Sequence, residues 1–303
     1  MNPEDFGKVA VLMGGLSAER DVSLRSGAMV LDGLKQAGVD AVAIDAGRDV
    51  LDELKRSGAD RAFVVLHGPW GEDGVVQGAL ETIGMPYTGS GVLGSALAMD
   101  KLRSKQVWAS LDLPIPEYAV IRGEDELPGV LESHPLPLFV KPGAEGSSIG
   151  VTKVESASQL RDAWKTAAEF GGPVLAETFI DGPEVTISLL GDEALPAIRL
   201  ETPRTFYDYA AKYESDSTLY HCPSGLDADL EAGLQALSLE AFRALGCSGW
   251  GRVDLMLDDH MNPYLLEVNT IPGMTDHSLV PMAARTAGMS FPDLVMKILE
   301  TSL

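Results

Sequence analysis

Glu267 and Asn269 stand at i and i+2 near the end of an apolar run, Leu-Leu-Glu-Val-Asn-Thr at 265–270. Side chains of an extended strand alternate faces, so this spacing sets a carboxylate beside a carboxamide, about 6–7 Å apart along the backbone. Upstream, Gly-Trp-Gly-Arg-Val-Asp-Leu-Met-Leu at 249–257 carries Arg252 and Asp254 at the same spacing. The polar Asp-Asp-His-Met-Asn at 258–262 separates two apolar strands, 252–257 and 263–268, and the pattern reads as a β-hairpin. Antiparallel pairing would bring Asp254 opposite Glu267 and Asn269, gathering three oxygen ligands and one guanidinium. Mg²⁺ favours such hard donors and completes its shell with phosphate and water. Spacing alone leaves open a solvated hairpin face with ordinary surface acids.

Other segments compete for a role in the chemistry. Lys-Pro-Gly-Ala-Glu-Gly-Ser-Ser-Ile-Gly at 141–150 joins two apolar strands through small residues. Such a loop lets backbone N–H groups approach an anion, and Lys141 adds a charge at its entrance. Its Gly-Ser-Ser-Ile-Gly also satisfies the nucleophile elbow of serine hydrolases, with Ser148 as nucleophile. That elbow must run from strand into helix, whereas Ile-Gly-Val-Thr-Lys-Val alternates like a strand, which disfavours it. Gly-Ser-Gly-Val-Leu-Gly at 89–94 matches a dinucleotide fingerprint but has no full strand before it, and no Walker A motif occurs. Lys101 alone reads as a solvated helix lysine. His67 ends a buried-looking strand, where α/β proteins gather function.

The elements that must position these residues follow a clear order. In the first hundred residues, short apolar runs alternate with helical patterns, which implies a parallel sheet covered by helices. Gly-Gly-Leu-Ser-Ala-Glu-Arg follows the first strand and His-Gly-Pro-Trp-Gly-Glu-Asp-Gly the third, so both loops lie at carboxyl ends of strands. A single helical run is expected over 92–111, closed by the prolines of Leu-Pro-Ile-Pro. The middle of the chain is α+β, with a helix opened by Ser156 or Ser158. The polar stretch 202–224 shows no pattern and is long enough to suggest a lid. A long helix from about Asp227, the hairpin and terminal helices complete the chain.

Composition narrows the function classes. With 303 residues, 45% hydrophobic and 22% charged, the chain has a globular composition and room for two or three domains. A formal net charge of −22 argues against a general binder of nucleic acid or anionic membrane, so an anionic substrate must meet locally concentrated cations. Cys222 and Cys247 form no disulfide framework, which suggests a reducing compartment, the cytoplasm. The acidic Met-Asn-Pro-Glu-Asp-Phe-Gly-Lys start lacks the basic region of a signal peptide, and no apolar stretch approaches membrane-spanning length.

Taken in order, Gly-Gly-Leu-Ser-Ala-Glu-Arg-Asp-Val-Ser, Leu-His-Gly-Pro-Trp-Gly-Glu-Asp-Gly, Met-Asp-Lys-Leu-Arg-Ser-Lys, Val-Lys-Pro-Gly-Ala-Glu-Gly-Ser-Ser-Ile-Gly, Thr-Phe-Tyr-Asp-Tyr-Ala-Ala-Lys-Tyr and Leu-Leu-Glu-Val-Asn-Thr-Ile-Pro-Gly-Met carry a resemblance. The chain resembles the D-alanine–D-alanine ligases of the ATP-grasp superfamily, nearly end to end. The resemblance implies a three-domain ATP-grasp fold combining α/β and α+β parts: an N-terminal parallel-sheet substrate domain at 1–97, a central domain at 98–181 and a C-terminal catalytic domain at 182–303. It implies ATP as co-substrate, two Mg²⁺ ions with Mn²⁺ as an alternative, D-alanine as substrate and a homodimer. Asp254, Glu267 and Asn269 match the metal ligands. Lys101, Lys141, Ser148, Glu177, Glu184 and the lid residue Lys212 match ATP-binding positions. Glu19 matches the residue that holds the first ammonium group, with Ser147 and Tyr213 joined to it and His67 beside the substrate. Arg252 and the Gly273 backbone match an oxyanion site, and Ser278 and Leu279 the contacts to the second carboxylate. Ala144 and Thr178 depart from the common pattern and put ATP affinity in question.

Three rivals remain at this level: a ligase of the same fold joining D-alanine to D-lactate or D-serine, a nucleotide-binding module without activity, and the serine hydrolase. By resemblance Tyr213 favours the dipeptide-forming type. The joint presence of Glu19, Arg252 and the metal set disfavours the inactive module.

Overall fold

The computed structural model describes residues 2–143, 150–201 and 218–303. The first sheet is parallel, as expected. Its central strand β1 (Val9–Gly14) is buried along its whole length and lies between β2 (Ala41–Ala46) and β3 (Arg61–Val64). The unbroken Val-Ala-Val-Leu-Met run suits a strand covered on both faces. Helices α1 (Arg20–Gln36), α2 (Val50–Ser57) and α3 (Val75–Thr82) connect and cover these strands.

The run over 92–111 is two helices, α4 (Val92–Met99) and α5 (Lys101–Ser110), not one. Asp100 takes an extended conformation between them, and its carboxylate accepts from the Arg103 N–H at 2.9 Å as the N-cap of α5. A hydrophobic pattern continuous across Asp100 concealed the break.

A second sheet is antiparallel, in the order β4 (Tyr118–Ile121), β7 (Val174–Thr178), β5 (Leu138–Pro142) and β6 (Thr152–Val154). It is packed by α6 (Leu127–Ser133) and α7 (Ala157–Ala168), whose N-cap is Ser156. The Ser156 N–H donates to Gln159 Oε1 at 3.0 Å, half of a capping box.

The third sheet runs β11 (Leu219–His221), β10 (Ile198–Glu201), β8 (Glu184–Leu190), β12 (Trp250–Leu257) and β13 (Pro263–Asn269), with β9 (Glu193–Ala194) paired to β8. The polar stretch 202–224 therefore contains a strand: Tyr220 is in register with Leu200 of β10. That segment is too short and polar to announce itself in sequence. Residues 202–217 of the expected lid lie outside the described residues. Helix α8 (Ala228–Ala244) covers the apolar face of this sheet; it begins about where the sequence predicts, and Asp227 caps it. The chain ends in α9 (Leu279–Thr286) and α10 (Phe291–Glu300), and α10 returns to pack on α1, where Phe291 and Val295 press against Gly33.

Candidate active site

The hairpin forms with the expected strands and turn, and its register decides the site. Asp254 pairs directly with Glu267 and Arg252 directly with Asn269, so all four side chains share one face. The register shifts between Asp254 and Leu255, which places an extra residue, Leu266, on β13 beside Glu267. Bulges of this kind commonly re-aim side chains next to active sites. On the other side of β12, Thr186 of β8 lies opposite Asp254, Glu184 opposite Met256 and Ser188 opposite Arg252. The alternation Glu184-Val-Thr-Ile-Ser188 thus gives the sheet a polar face at the site and an apolar face of Val185, Ile187, Val253 and Leu255 against the core.

Arg252 grips Asp254 through two bonds, Nε to Oδ1 and Nη2 to Oδ2, both 2.8 Å. Asp254 is 4% exposed and also accepts from Thr186 Oγ1 at 2.7 Å and Asn269 Nδ2 at 3.0 Å. Because the Asn269 amide nitrogen is turned to Asp254, its oxygen is the atom left to receive a cation. Glu267 holds the Lys101 ammonium at 2.8 Å. Among the described residues no group of three His, Cys, Asp or Glu side chains clusters as a metal site. The expected set has only two carboxylates, its third donor being the amide. Its chemistry still fits a hard divalent cation: oxygen donors alone, with counter-cations beside them that can turn to phosphate.

The opposite wall of the same cleft comes from the first sheet. Glu19 precedes α1 and His67 follows β3, both beyond the carboxyl ends of parallel strands. Ser17 ties the two loops together: its hydroxyl donates to the His67 carbonyl at 2.6 Å and accepts from the Glu19 N–H at 3.2 Å. His67 is 6% exposed, and Nε2 has no hydrogen-bond partner among the described residues. Burial depresses its pKa against the opposing pull of Glu19, so the ring is neutral at pH 7. Glu72, which sequence reasoning overlooked, also lines this wall and accepts from the Gly68 N–H at 2.6 Å. Burial and then the Glu19 carboxylate push its pKa up to about 8. Its place in Gly-Glu-Asp-Gly after β3 was the available signal.

The cleft is closed by the segment after β13. Gly273, Ser278 and Leu279 line it, and Ser278 is the N-cap of α9. The Ser278 hydroxyl accepts from the Thr275 N–H at 2.9 Å, which fixes the turn that presents this helix N-terminus to the cleft. Such an end offers N–H groups to an anion.

Lys141 and Glu177 lie on the second sheet. Phe139 is opposite Glu177, so Lys141, at i+2, is its diagonal neighbour on the same face. Lys141 Nζ stands 2.8 Å from Glu177 Oε2, and a third residue, Lys105 of α5, stands 3.2 Å from Oε1. Sequence reasoning missed Lys105, although it follows Lys101 by one helical turn. Ser147, Ser148, Lys212 and Tyr213 lie outside the described residues, as does Ala144.

Comparison with known proteins agrees with this layout. The family model described as "D-ala D-ala ligase C-terminus" matches residues 107–300, and "D-ala D-ala ligase N-terminus" matches 47–90. A D-alanine–D-alanine ligase of Aromatoleum aromaticum is 58% identical over 97% of this chain and 96% of its own. Another, of Nitrosococcus oceani, is 55% identical over 98% of this chain and 94% of its own. Among solved structures, D-alanine–D-alanine ligase from Bacillus anthracis complexed with ATP superposes with TM-score 0.84 at 34% identity, covering 97% of both chains. A D-Ala:D-Ser ligase from Enterococcus faecalis superposes with TM-score 0.85 at 30% identity, covering 98% of this chain and 99% of its own. The chain belongs to the D-alanine–D-alanine ligase family, and its fold is that of the ATP-grasp ligases.

Proposed function

We propose that this enzyme joins two D-alanines at the expense of ATP, through a D-alanyl phosphate, to supply the dipeptide for peptidoglycan precursors. The observation that carries the reading is the single cleft in which Glu19 and His67 face Lys101, Arg252, Glu267 and Asn269, with the N-terminus of α9 at its end. Curated relatives at 55% and 58% identity bear this activity in their names, whereas the D-Ala:D-Ser ligase shares only 30%.

A carboxylate is a poor acylating agent. Transfer of the γ-phosphoryl group to the first D-alanine's carboxylate releases ADP and makes an acyl phosphate; the second D-alanine's amine then attacks the carbonyl, expels phosphate and loses a proton. Glu19 would hold the first ammonium group, with His67 beside it. Lys101 and Lys141 would bind ATP phosphates, and Glu177 and Glu184 would face the nucleoside end. Arg252 and the Gly273 N–H would meet the oxyanion of the tetrahedral intermediate, where each donor is typically worth about 3–4 kcal/mol. Ser278 and Leu279 would receive the second carboxylate at the helix end. A divalent cation held by Asp254, Glu267 and Asn269 would offset charge on the phosphoryl oxygens. Ser147, Ser148, Lys212 and Tyr213 would complete the site from the loop and lid, which exclude water from the acyl phosphate. Two Mg²⁺ ions, a homodimer, cytoplasmic residence and domain boundaries at 97/98 and 181/182 belong to the same proposal.

The test is product identity. With Mg·ATP and equal concentrations of D-alanine, D-serine and D-lactate, mass spectrometry is expected to find D-alanyl-D-alanine as the main product. A predominant D-alanyl-D-lactate would overturn the dipeptide assignment.

A further inference from the structure

Lys105 is completely buried, and it carries no solvent-facing role that would explain a lysine there. Lysine is rarely buried unless paired. Its partner, Glu177, is itself only 2% exposed and is shared with Lys141, which is 9% exposed. The cluster therefore holds two ammonium groups to one carboxylate in a region of low polarity. The Lys105 contact at 3.2 Å is electrostatic without hydrogen-bond alignment: Lys105 Nζ and Glu177 Oε1 are both buried without a hydrogen-bond partner among the described residues. Burying such a group is costly, and its retention calls for a role at the site.

We infer that Lys105 is a positioning residue of the nucleotide site: from beneath, it holds Glu177 against Lys141 and gives the cluster one surplus positive charge, which the phosphates of ATP neutralise. The inference rests on the reading of Lys141 as a nucleotide-binding lysine. Without Lys105, Lys141 and Glu177 form a neutral pair, and the lysine's field is answered by its own carboxylate. With Lys105 behind it, Glu177 divides its charge between two cations, and Lys141 stays effective toward the phosphates of ATP. The support is rigid. At its start α5 donates the Lys101 N–H to the Gly143 carbonyl at 2.7 Å; near its end the Trp108 indole donates to the Ala241 carbonyl of α8 at 3.0 Å. One helix thus sends Lys105 to the second sheet and Lys101 to the hairpin of the third, spanning the two walls between which ATP would lie.

The electrostatics give a signature. Burial lowers Lys105 to about 8; Glu177 opposes that shift, while Lys141 and Lys101 add to it. Burial would raise Glu177, but Lys105 and Lys141 together hold it below the usual carboxylate range. Tyr118 of β4, in register with Glu177, has its pKa raised first by burial and then by that carboxylate, so it remains neutral in the same window. Below pH 8 the cluster is cationic; as pH rises through 8, the surplus charge is lost.

The test compares the wild type with Lys105→Met, Lys105→Arg and Lys141→Met as full-length chains. Dissociation constants are measured for ATP and for adenosine, which has no phosphate, together with the pH profile of kcat/KM for ATP, which reports free-enzyme ionisations. Lys105→Met is expected to raise the ATP Kd by about tenfold or more, move the adenosine Kd far less, and abolish the fall in kcat/KM above pH 8. Lys105→Arg is expected to move that fall to higher pH, since arginine stays protonated. A wild-type ATP Kd and pH profile in Lys105→Met, beside weakened binding in Lys141→Met, would overturn this inference alone. Equal loss for ATP and adenosine would overturn it in favour of a structural role. An unchanged ATP Kd in Lys141→Met would overturn the nucleotide-site reading beneath it.

Discussion

The Lys101 ammonium lies 2.8 Å from the Glu267 carboxylate, so the first residue of α5 is bound to the hairpin that carries the candidate metal ligands. Each of the two carboxylates among the candidate metal ligands is answered by a cation, Glu267 by Lys101 and Asp254 by Arg252. These counter-cations offset the charge of the acids, and in the proposed reaction they would meet phosphoryl and acyl oxygens.

Glu267→Gln keeps the shape of the side chain and removes its charge. ATP turnover is expected to fall by orders of magnitude, and raising Mg²⁺ should recover part of it if the residue is a metal ligand. Steady-state rates over a Mg²⁺ titration check this; unchanged turnover would sink the metal assignment.

Arg252→Met is expected to lower kcat by about a hundredfold or more, with a smaller change in KM for D-alanine, because an oxyanion contact is made only as the carbonyl is attacked. An equal rise in KM with kcat intact would place Arg252 in ground-state binding instead.

Gly68 has φ +70°, and a Cβ there would come within 2.5 Å of Glu19 Oε2 and 3.1 Å of the Ser17 hydroxyl. Gly68→Ala therefore strains the backbone and displaces the Glu19 carboxylate, which we propose holds the first ammonium group. KM for D-alanine is expected to rise about tenfold or more with the ATP Kd little changed, and titrations of each substrate separate the two.

Glu72 gives a stability prediction with a definite sign. Its folded pKa of about 8 lies above the ordinary 4.5. Between those values the folded protein keeps a proton that the unfolded chain has released, so stability falls as pH rises through the window. Glu72→Gln removes this slope. Thermal midpoints of variant and wild type are expected to diverge in favour of the variant from pH 5 to pH 8; parallel curves would refute the shifted pKa.

Much of this was legible because local pattern and tertiary role agree. The hairpin's apolar strands and polar turn fix its fold, and period-two alternation places Arg252 with Asp254 and Glu267 with Asn269. The parallel first sheet follows from the strand and helix rhythm, and Glu19 and His67 lie where strand ends predict. The bulge at Leu266 is invisible in sequence, because it arises from pairing across strands. Asp100 breaks an apparently continuous helix because a short polar side chain caps α5 without interrupting the apolar pattern. Lys105 was missed because nothing in a sequence separates a buried lysine from a solvated one until the helix has a sheet against it. Glu72 was overlooked for the same reason: its altered acidity comes first from burial in the folded chain and then from Glu19, far away in the sequence.

Every role proposed for the site depends on ATP-driven activation of D-alanine in this cleft. It is tested most directly by phosphate release from Mg·ATP with D-alanine, with L-alanine and with no amino acid, alongside the mass of the product. Release is expected to require D-alanine, with one phosphate formed for each D-alanyl-D-alanine. Release that ignores D-alanine, or ATP left intact under every condition, would contradict it.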